Sequence, residues 1–136
     1  MKNLTTALFS KLSGSSLDTL IGGRMFKGNA YDGTEYPYVV FMVISDVQSD
    51  TFKSSLDDVL IQFSIFSDDS SSGEIENIYA ALKSLYDNAT LTITGATLCM
   101  IARQSATLMV EDHTTPDGTA KVWHYAIEYT VIQERT

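Results

Sequence analysis

The sequence VLIQFSIFSDDSSSGEIENIYAALKSLYD, residues 59–87, carries the strongest structural pattern in the chain. Apolar residues recur at every second position from Val59 to Ile65, which is the period of a strand with one buried face. After a polar turn the spacing becomes helical, and Ser71 with Glu74 matches the S-x-x-E capping box that starts many helices. The apolar residues of this predicted helix are Ile75, Ile78, Tyr79, Leu82, Leu85 and Tyr86. The stretch therefore predicts a strand, an acidic turn and an amphipathic helix in direct succession.

Weaker patterns flank this stretch on both sides. Upstream, residues 3–12 place a leucine at every fourth position, which predicts a short helix with Asn3 as its N-cap. Residues 38–45, YVVFMVIS, are β-branched and aromatic and predict a buried strand. Downstream, the alternation in residues 97–112 and 119–134 predicts two long strands that close the chain.

The connections between these elements are predicted to be irregular. Residues 24–36 are rich in Gly, Asn and Asp, with at most a short strand at 24–26, and polar loops are expected at 46–57 and 111–118. A length of 136 residues fits one domain, residues 1–136. The element order αββαββ predicts an α+β fold, a mostly antiparallel four-stranded sheet with two helices packed on one face.

Composition and charge exclude several classes of protein. The chain carries 17 Asp and Glu against 9 Lys and Arg, a formal net charge of −8, and its basic residues are scattered. Nucleic-acid-binding proteins normally present clustered basic residues, so we expect no tight binding to DNA or RNA. No apolar run approaches the roughly 18–20 residues of a membrane span, and the N-terminal segment lacks the apolar core of a secretory signal. The single cysteine, Cys99, lies in the apolar stretch LCMIA and is expected to be a buried, inert thiol.

Few residues are candidates for catalysis or metal binding. His113, in the predicted hairpin loop, and His124, on the polar face of the last strand, are both expected to be surface residues. Asp57–Asp58 and Asp68–Asp69 offer oxygen ligands, but they bracket a strand roughly 30 Å long and are therefore too far apart to share an ion. We expect them to be solvated carboxylates at the ends of that strand. The sequence contains no nucleophile, phosphate-binding or zinc motif. We expect no catalytic residue, no metal site and no cofactor.

The middle of the chain concentrates negative charge. Between Asp46 and Glu76 stand eight acidic residues and one basic residue, Lys53. Such local charge either keeps a domain soluble or repels another negative molecule. The predicted loop 46–57 also carries Phe52 among small polar residues. Two interpretations of Phe52 stay open, an anchor for a partner or a side chain folded back onto its own sheet.

The chain resembles the tail terminator, or tail completion, proteins of long-tailed (siphovirus-like and myovirus-like) bacteriophages, prophages and gene transfer agents. The resemblance rests on the segments YPYVVFMVIS (36–45), LDDVLIQFSIFSDDSSSGEIENIYAALKSLYD (56–87) and WHYAIEYTVIQE (123–134), and it extends from about Asn3 to Glu134. It implies a structural virion protein that forms a ring, generally sixfold, on the head-proximal end of the tail tube. The ring stops tube polymerisation and joins the DNA-filled head.

The resemblance also implies partners and a location. The partners are further copies of the chain, the major tail tube protein and the head–tail connector or neck proteins, while DNA passes through the lumen without specific binding and no membrane is involved. The protein acts in the neck region of the virion tail and assembles in the host cytoplasm. The resemblance supplies no functional residue by position, so the site candidates are regional. Subunit contacts or the lumen wall are expected at Asp46, Asp50, Phe52, Lys53, Asp68 and Asp69, and contacts with the tube or a neighbour at His113 and Asp117.

Two alternatives to a tail terminator stay open. The first is another phage neck protein, such as a head–tail joining factor. The second is a small cytoplasmic enzyme or ligand-binding domain, for which the polar faces offer only His124, Glu128, Arg103 and Gln104. Arg103 and Glu128 also have an explanation without a ligand, a pair across neighbouring strands.

Overall fold

A computed structural model describes residues 2–30, 34–115 and 118–135 of the chain. Three helices and six strands lie within those residues. The helices are α1 (Lys2–Leu12), α2 (Ser16–Ile21) and α3 (Gly73–Tyr86). The strands are β1 (Met25–Lys27), β2 (Tyr38–Asp50), β3 (Ser55–Ser67), β4 (Thr92–Ile93), β5 (Ala96–Thr115) and β6 (Gly118–Arg135).

The strands form one mixed sheet in the order β1-β2-β3-β6-β5-β4. Strand β1 pairs with β2 in parallel, and the other pairs are antiparallel. The predicted four-stranded sheet with two helices is therefore wrong, since the sheet has six strands and three helices accompany it. Strand β1 lies one residue beyond the short strand considered at 24–26, and β4 has only two residues. Neither is long enough to show a periodic pattern in the sequence.

The additional helix is α2, which follows the helix predicted at residues 3–12 and lies outside its bounds. Ser15 caps the start of α2 by accepting a hydrogen bond from the backbone N–H of Asp18 at 3.2 Å. Gly22 ends α2 in the left-handed conformation, with φ 59°. Asn3 is not the N-cap of α1, because the helix already includes Lys2. The Asn3 side-chain amide donates to the Thr94 carbonyl at 2.9 Å. It thereby ties α1 to the turn between β4 and β5.

The polar stretches predicted as loops are largely strand. Strands β2 and β3 stay paired as far as Asp50 opposite Ser55, so the turn contains only residues 51–54. Strands β5 and β6 stay paired as far as Thr115 opposite Gly118. This part of the hairpin is exposed, so its side chains near residue 50 are polar. The sequence there lacks the apolar alternation that indicates a half-buried strand, and it was therefore predicted as a loop.

Helix α3 begins close to its predicted start but without the predicted capping box. Ser72 is its N-cap residue and makes no side-chain cap. Glu74 Oε1 accepts a hydrogen bond from Ser67 Oγ at 2.7 Å and so joins the end of β3 to the first turn of the helix. The carboxylate also lies near the positive end of the helix dipole.

The core lies between one face of the sheet and the three helices. Phe63 stands at its centre, with its ring centroid 4.9 Å from Tyr86, 5.7 Å from Tyr129 and 5.8 Å from Phe41. The Tyr86 hydroxyl donates to the Leu8 carbonyl at 2.9 Å, which links α3 to α1. The buried side of every helix belongs to this one cluster, so all three helices pack on the same face of the sheet.

Candidate functional site

The structure separates the predicted site residues into two groups. Asp46, Asp50, Phe52 and Lys53 lie toward the end of the β2–β3 hairpin. Asp68, Asp69 and His113 lie at the opposite end of the sheet. Strand β3 has 13 residues, so about 40 Å separates its two ends at roughly 3.3 Å per residue. The remaining candidate, Asp117, lies outside the described residues.

The tip of the β2–β3 hairpin, residues 51–54, is a hydrogen-bonded turn at the exposed end of the hairpin. Thr51 Oγ1 accepts hydrogen bonds from the backbone N–H groups of Lys53 at 3.3 Å and Ser54 at 3.0 Å. The backbone N–H of Thr51 donates to the Ser54 carbonyl at 2.8 Å. Phe52 has a relative exposure of 111%, so its ring stands in solvent and does not fold back onto the sheet. The tip therefore presents an aromatic ring and the Lys53 ammonium side by side.

A polar cavity of about 290 Å³, which we call the acidic cavity, lies behind the tip. Its lining is drawn from the N-terminus of α1, the β2–β3 hairpin, the β4–β5 turn and the end of β6. The lining residues used below are Leu4, Asp46, Gln48, Asp57, Ile93, Gln133 and Arg135. Asp57 and Gln133 are buried, and Asp46 and Gln48 are exposed.

An ion-pair network crosses the floor of the acidic cavity. Arg135 Nη2 lies 2.7 Å from Asp50 Oδ1, and Arg135 Nε lies 3.2 Å from Asp57 Oδ1. Gln133 Nε2 donates to Asp57 Oδ2 at 3.2 Å. Asp57 was expected to be a solvated carboxylate at a strand end, and this was wrong. It is buried within β3, because its partners on β6 lie across the strand pair.

At the opposite end of the sheet, Glu111 joins the two histidines. His113 Nε2 lies 3.2 Å from Glu111 Oε1, and His124 Nδ1 lies 3.1 Å from Glu111 Oε2. The Tyr36 hydroxyl lies 3.1 Å from His113 Nδ1, and the His124 ring stacks on Phe66 at 4.4 Å between centroids. Burial acts to raise the pKa of Glu111, but hydrogen bonds and charge from both histidines outweigh it and lower that pKa.

This arrangement corrects the prediction for His113. It was expected in a flexible loop, but it belongs to β5 and is partly buried between Tyr36 and Glu111. Both ring nitrogens therefore already have neighbours in the chain. Nearby, Trp123 Nε1 donates to the Asp69 carbonyl at 3.1 Å, while the carboxylates of Asp68 and Asp69 belong to exposed residues.

The third polar cluster holds the end of α3 against the sheet. Asp87 Oδ1 accepts from the Tyr129 hydroxyl at 2.6 Å, and Arg103 Nη2 lies 3.2 Å from Asp87 Oδ2. Arg103 Nη1 also donates to the Tyr79 hydroxyl at 3.0 Å. The expected pair of Arg103 with Glu128 is wrong. Although these residues lie on neighbouring strands, Glu128 stands opposite Ser105 on the other face of the sheet.

We predict that Asp87→Ala lowers the free energy of unfolding by about 1–3 kcal/mol at pH 7, because it leaves the buried Tyr129 hydroxyl without an acceptor. Burial acts to raise the pKa of Asp87, but hydrogen bonds from Arg103 and Tyr129 and nearby positive charge bring it below its ordinary value. Because the pKa of Asp87 is lower in the folded chain, its carboxylate stabilises the fold at pH values above the unfolded pKa of about 3.9. This stabilisation is lost as pH falls through the folded pKa. Urea unfolding of the wild type and of Asp87→Ala at pH 7 and pH 3 checks this prediction. The difference between their free energies of unfolding should be smaller at pH 3. An equal difference at both pH values would contradict the electrostatic part.

The expectation that Cys99 is buried was wrong, because it lies at a register shift of β5 between Leu98 and Met100 and is exposed. Among the described residues, no group of three or more His, Cys, Asp or Glu side chains is arranged to hold a metal ion. In the same residues, no helix has the length and apolar character to cross a membrane.

Comparisons with known proteins give one family and one fold. A family model described as Tail completion protein gp17 matches residues 6–134. Among solved structures, the chain is similar to a chain of a structure described as "Virion of native gene transfer agent (GTA) particle", with a TM-score of 0.74 and 13% sequence identity. That alignment covers 98% of this chain and 96% of the other, and at this identity it concerns the fold. No curated protein matches the chain.

Proposed function

The chain belongs to the tail completion protein gp17 family, which makes it a structural protein of a phage-type tail, and we propose that six copies form a ring that caps the head-proximal end of the tail tube. Such a ring stops further polymerisation of the tube and offers the head a surface to join. The observation that carries this proposal is the family match over residues 6–134. The similarity of the fold to a chain of a gene transfer agent virion supports it.

A ring needs a surface through which copies associate, and the sheet offers one. The face opposite the helices, which we call the uncovered face, carries apolar side chains that are partly or largely exposed. They include Val40, Met42, Leu60, Met100 and Ile132. An exposed apolar patch on a water-soluble domain is typical of an interface, and methionine is enriched in such surfaces. We propose that the uncovered face contributes to the contact between subunits.

The charge of the chain suits a passage for DNA. Six copies, each with a formal net charge of −8, carry −48. A negative wall repels the phosphate backbone and lets DNA pass without binding. Asp68 and Asp69 are exposed at the end of β3 and remain our candidates for this wall. His113 and Asp117 remain candidates for contact with the tube or a neighbouring subunit.

The same proposal places the protein in the neck region of the virion, after assembly in the host cytoplasm. Its partners there are the major tail tube protein on one side and the connector or neck proteins on the other. The role is structural and requires interfaces rather than turnover.

We expect light scattering behind a sizing column to detect hexamers of the 15.0 kDa chain, either free or after tail tubes are added, because the ring closes on itself. In parallel, tail tubes assembled with the protein should have a uniform length and carry a density at one end in electron micrographs. Tubes that keep growing in its presence would contradict the capping role. Binding to tail-less heads without binding to tubes would instead identify a different neck protein.

A further inference from the structure

The acidic cavity is lined by one buried hydrogen-bond acceptor that the described residues leave unused. Gln133 has a relative exposure of 6%, and its Oε1 is buried without a hydrogen-bond partner among the described residues. Its amide orientation follows from the contact of Nε2 with Asp57, because a carboxylate accepts and does not donate. Leaving such an oxygen unpaired is unfavourable, so a ligand that donates to it is favoured.

The charges of the cavity indicate which kind of ligand donates there. The cavity has more acidic than basic side chains: Asp46, Asp57 and the adjoining Asp50 against Arg135. Arg135 already forms ion pairs with Asp50 and Asp57. Asp46 faces the same side of the hairpin as Asp57, because both belong to the core-facing alternation of their strands. A ligand with donors and a positive charge therefore fits, and an anion does not. The volume of about 290 Å³ is just below the range for ligand pockets, which begins near 300 Å³, and suits one long side chain.

The cavity also has an apolar wall. Leu4 and Ile93 line it beside the carboxylates and are buried in the described structure. The best occupant consequently carries an ammonium or guanidinium group together with an apolar group next to it. Long basic side chains meet this need, since their stems bury apolar area while the charged end reaches polar groups.

The tip of the β2–β3 hairpin presents these two groups together. All three arginines, and one lysine, are engaged within their own chain. These contacts join Arg24 to the Pro37 carbonyl, Lys83 to the Tyr79 ring, Arg103 to Asp87 and Arg135 to Asp50. Lys53, in contrast, is exposed on a projecting turn directly beside the fully exposed Phe52.

Lys53 is held away from the cavity of its own chain. The strand pairing continues from Gln48 opposite Asp57 to Asp50 opposite Ser55, so the hairpin stays extended between the cavity and the tip. The Thr51 hydrogen bonds then fix the turn itself. The cavity of a second copy is therefore the one that the tip can enter.

We propose that the hairpin tip of one copy docks onto the acidic cavity of the next, with Lys53 entering it to donate to Asp46 and Gln133 Oε1 while its stem passes Leu4 and Ile93. Phe52, the neighbouring residue of the tip, then lies at the mouth of the cavity. Donor and receptor are different surfaces of the same chain, so the contact repeats from copy to copy and closes into a ring when the rotation allows. This inference rests on the proposed function in that it requires copies to associate, and it assigns residues to that association.

Charge reversal tests the contact. Lys53→Asp and Asp46→Lys should each weaken self-association about 10-fold or more, because each places like charges in the contact. An equimolar mixture of the two variants should restore association to within about 3-fold of the wild type. In an alternating ring every contact of the mixture again joins a lysine to an aspartate. Sedimentation or light scattering over a concentration series, with and without tail tubes, gives the affinities, and circular dichroism checks that each variant folds.

Lys27→Asp is the matched control, because it makes the same change at another exposed lysine and should leave association unchanged. If the wild type and Lys53→Asp assemble equally well, the proposed contact is wrong, while the proposed ring is unaffected. Failure of the mixture to recover, with both variants folded, overturns the pairing of Lys53 with Asp46. A wild-type chain that stays monomeric at every concentration and on tail tubes overturns both proposals.

Discussion

Replacing Phe63 by alanine should lower the free energy of unfolding by about 3–5 kcal/mol, which is the usual cost of removing a fully buried phenylalanine ring. Phe63 has no exposed surface, and its ring contacts the rings of Phe41, Tyr86 and Tyr129. The cavity left behind is walled by β2, β6 and α3, which are held by their own strand pairing and hydrogen bonds. We therefore expect little collapse around it and a cost within that range.

Phe52→Ala is the control, since it removes the same atoms from a side chain that is 111% exposed. Its effect on the free energy of unfolding should be within about 0.5 kcal/mol, as for most surface substitutions. Urea unfolding of both variants measures the difference, at a protein concentration below that at which light scattering detects association. Subunit contacts then do not contribute to the apparent stability. A cost below about 1 kcal/mol for Phe63→Ala would mean that the core is not organised around this ring.

The residues around Phe63 also show why part of the fold was predictable. Alternation in Val59 to Ile65 and helical spacing in 75–86 were strong enough to give the central strand and α3 their correct type and approximate bounds. Both signals come from burial on one face, which acts over many residues. The sheet was nevertheless predicted with too few strands. Strands β1 and β4 exist because neighbouring strands supply pairing partners, and a segment of two or three residues carries no period of its own.

Of the candidate site, only the residues exposed at the hairpin tip could be predicted from the sequence. The exposed acids and Phe52 were expected near the β2–β3 connection, and the tip does present Phe52 and Lys53 to solvent. The acidic cavity was missed because Asp57, Gln133 and Arg135 are far apart in sequence and meet only through the β3–β6 pairing. A buried carboxylate and an exposed one look alike in sequence. The one available signal was the position of Asp57, which continues the core-facing alternation of Val59 and Ile61.

Met42→Lys should weaken association of the chain about 10-fold to 100-fold and prevent capping of tail tubes, because it places a charge on the uncovered face. Met42 stands opposite Gln62 on the side of the sheet away from Phe63, and its relative exposure is 45%. A lysine at a half-exposed position keeps its charged end in water while the chain is monomeric. The fold should therefore tolerate the substitution. In a subunit interface the same ammonium group loses its water without gaining a partner, which is the physical reason for the expected loss.

Leu20→Lys gives the matched control, since Leu20 has a relative exposure of 44% but lies on α2, on the helix side of the sheet. Both variants gain one positive charge and lose a similar exposed apolar surface, so a general effect of charge on this acidic chain would change both alike. We expect Leu20→Lys to associate and cap as the wild type does. Tail length in electron micrographs measures capping, and the mass in solution measures association of the chain. Equal loss of assembly in both variants would mean that the net charge, and not the uncovered face, causes the loss. Normal capping by Met42→Lys would show that the uncovered face is not part of the subunit contact. The docking of the hairpin tip would then have to account for the ring.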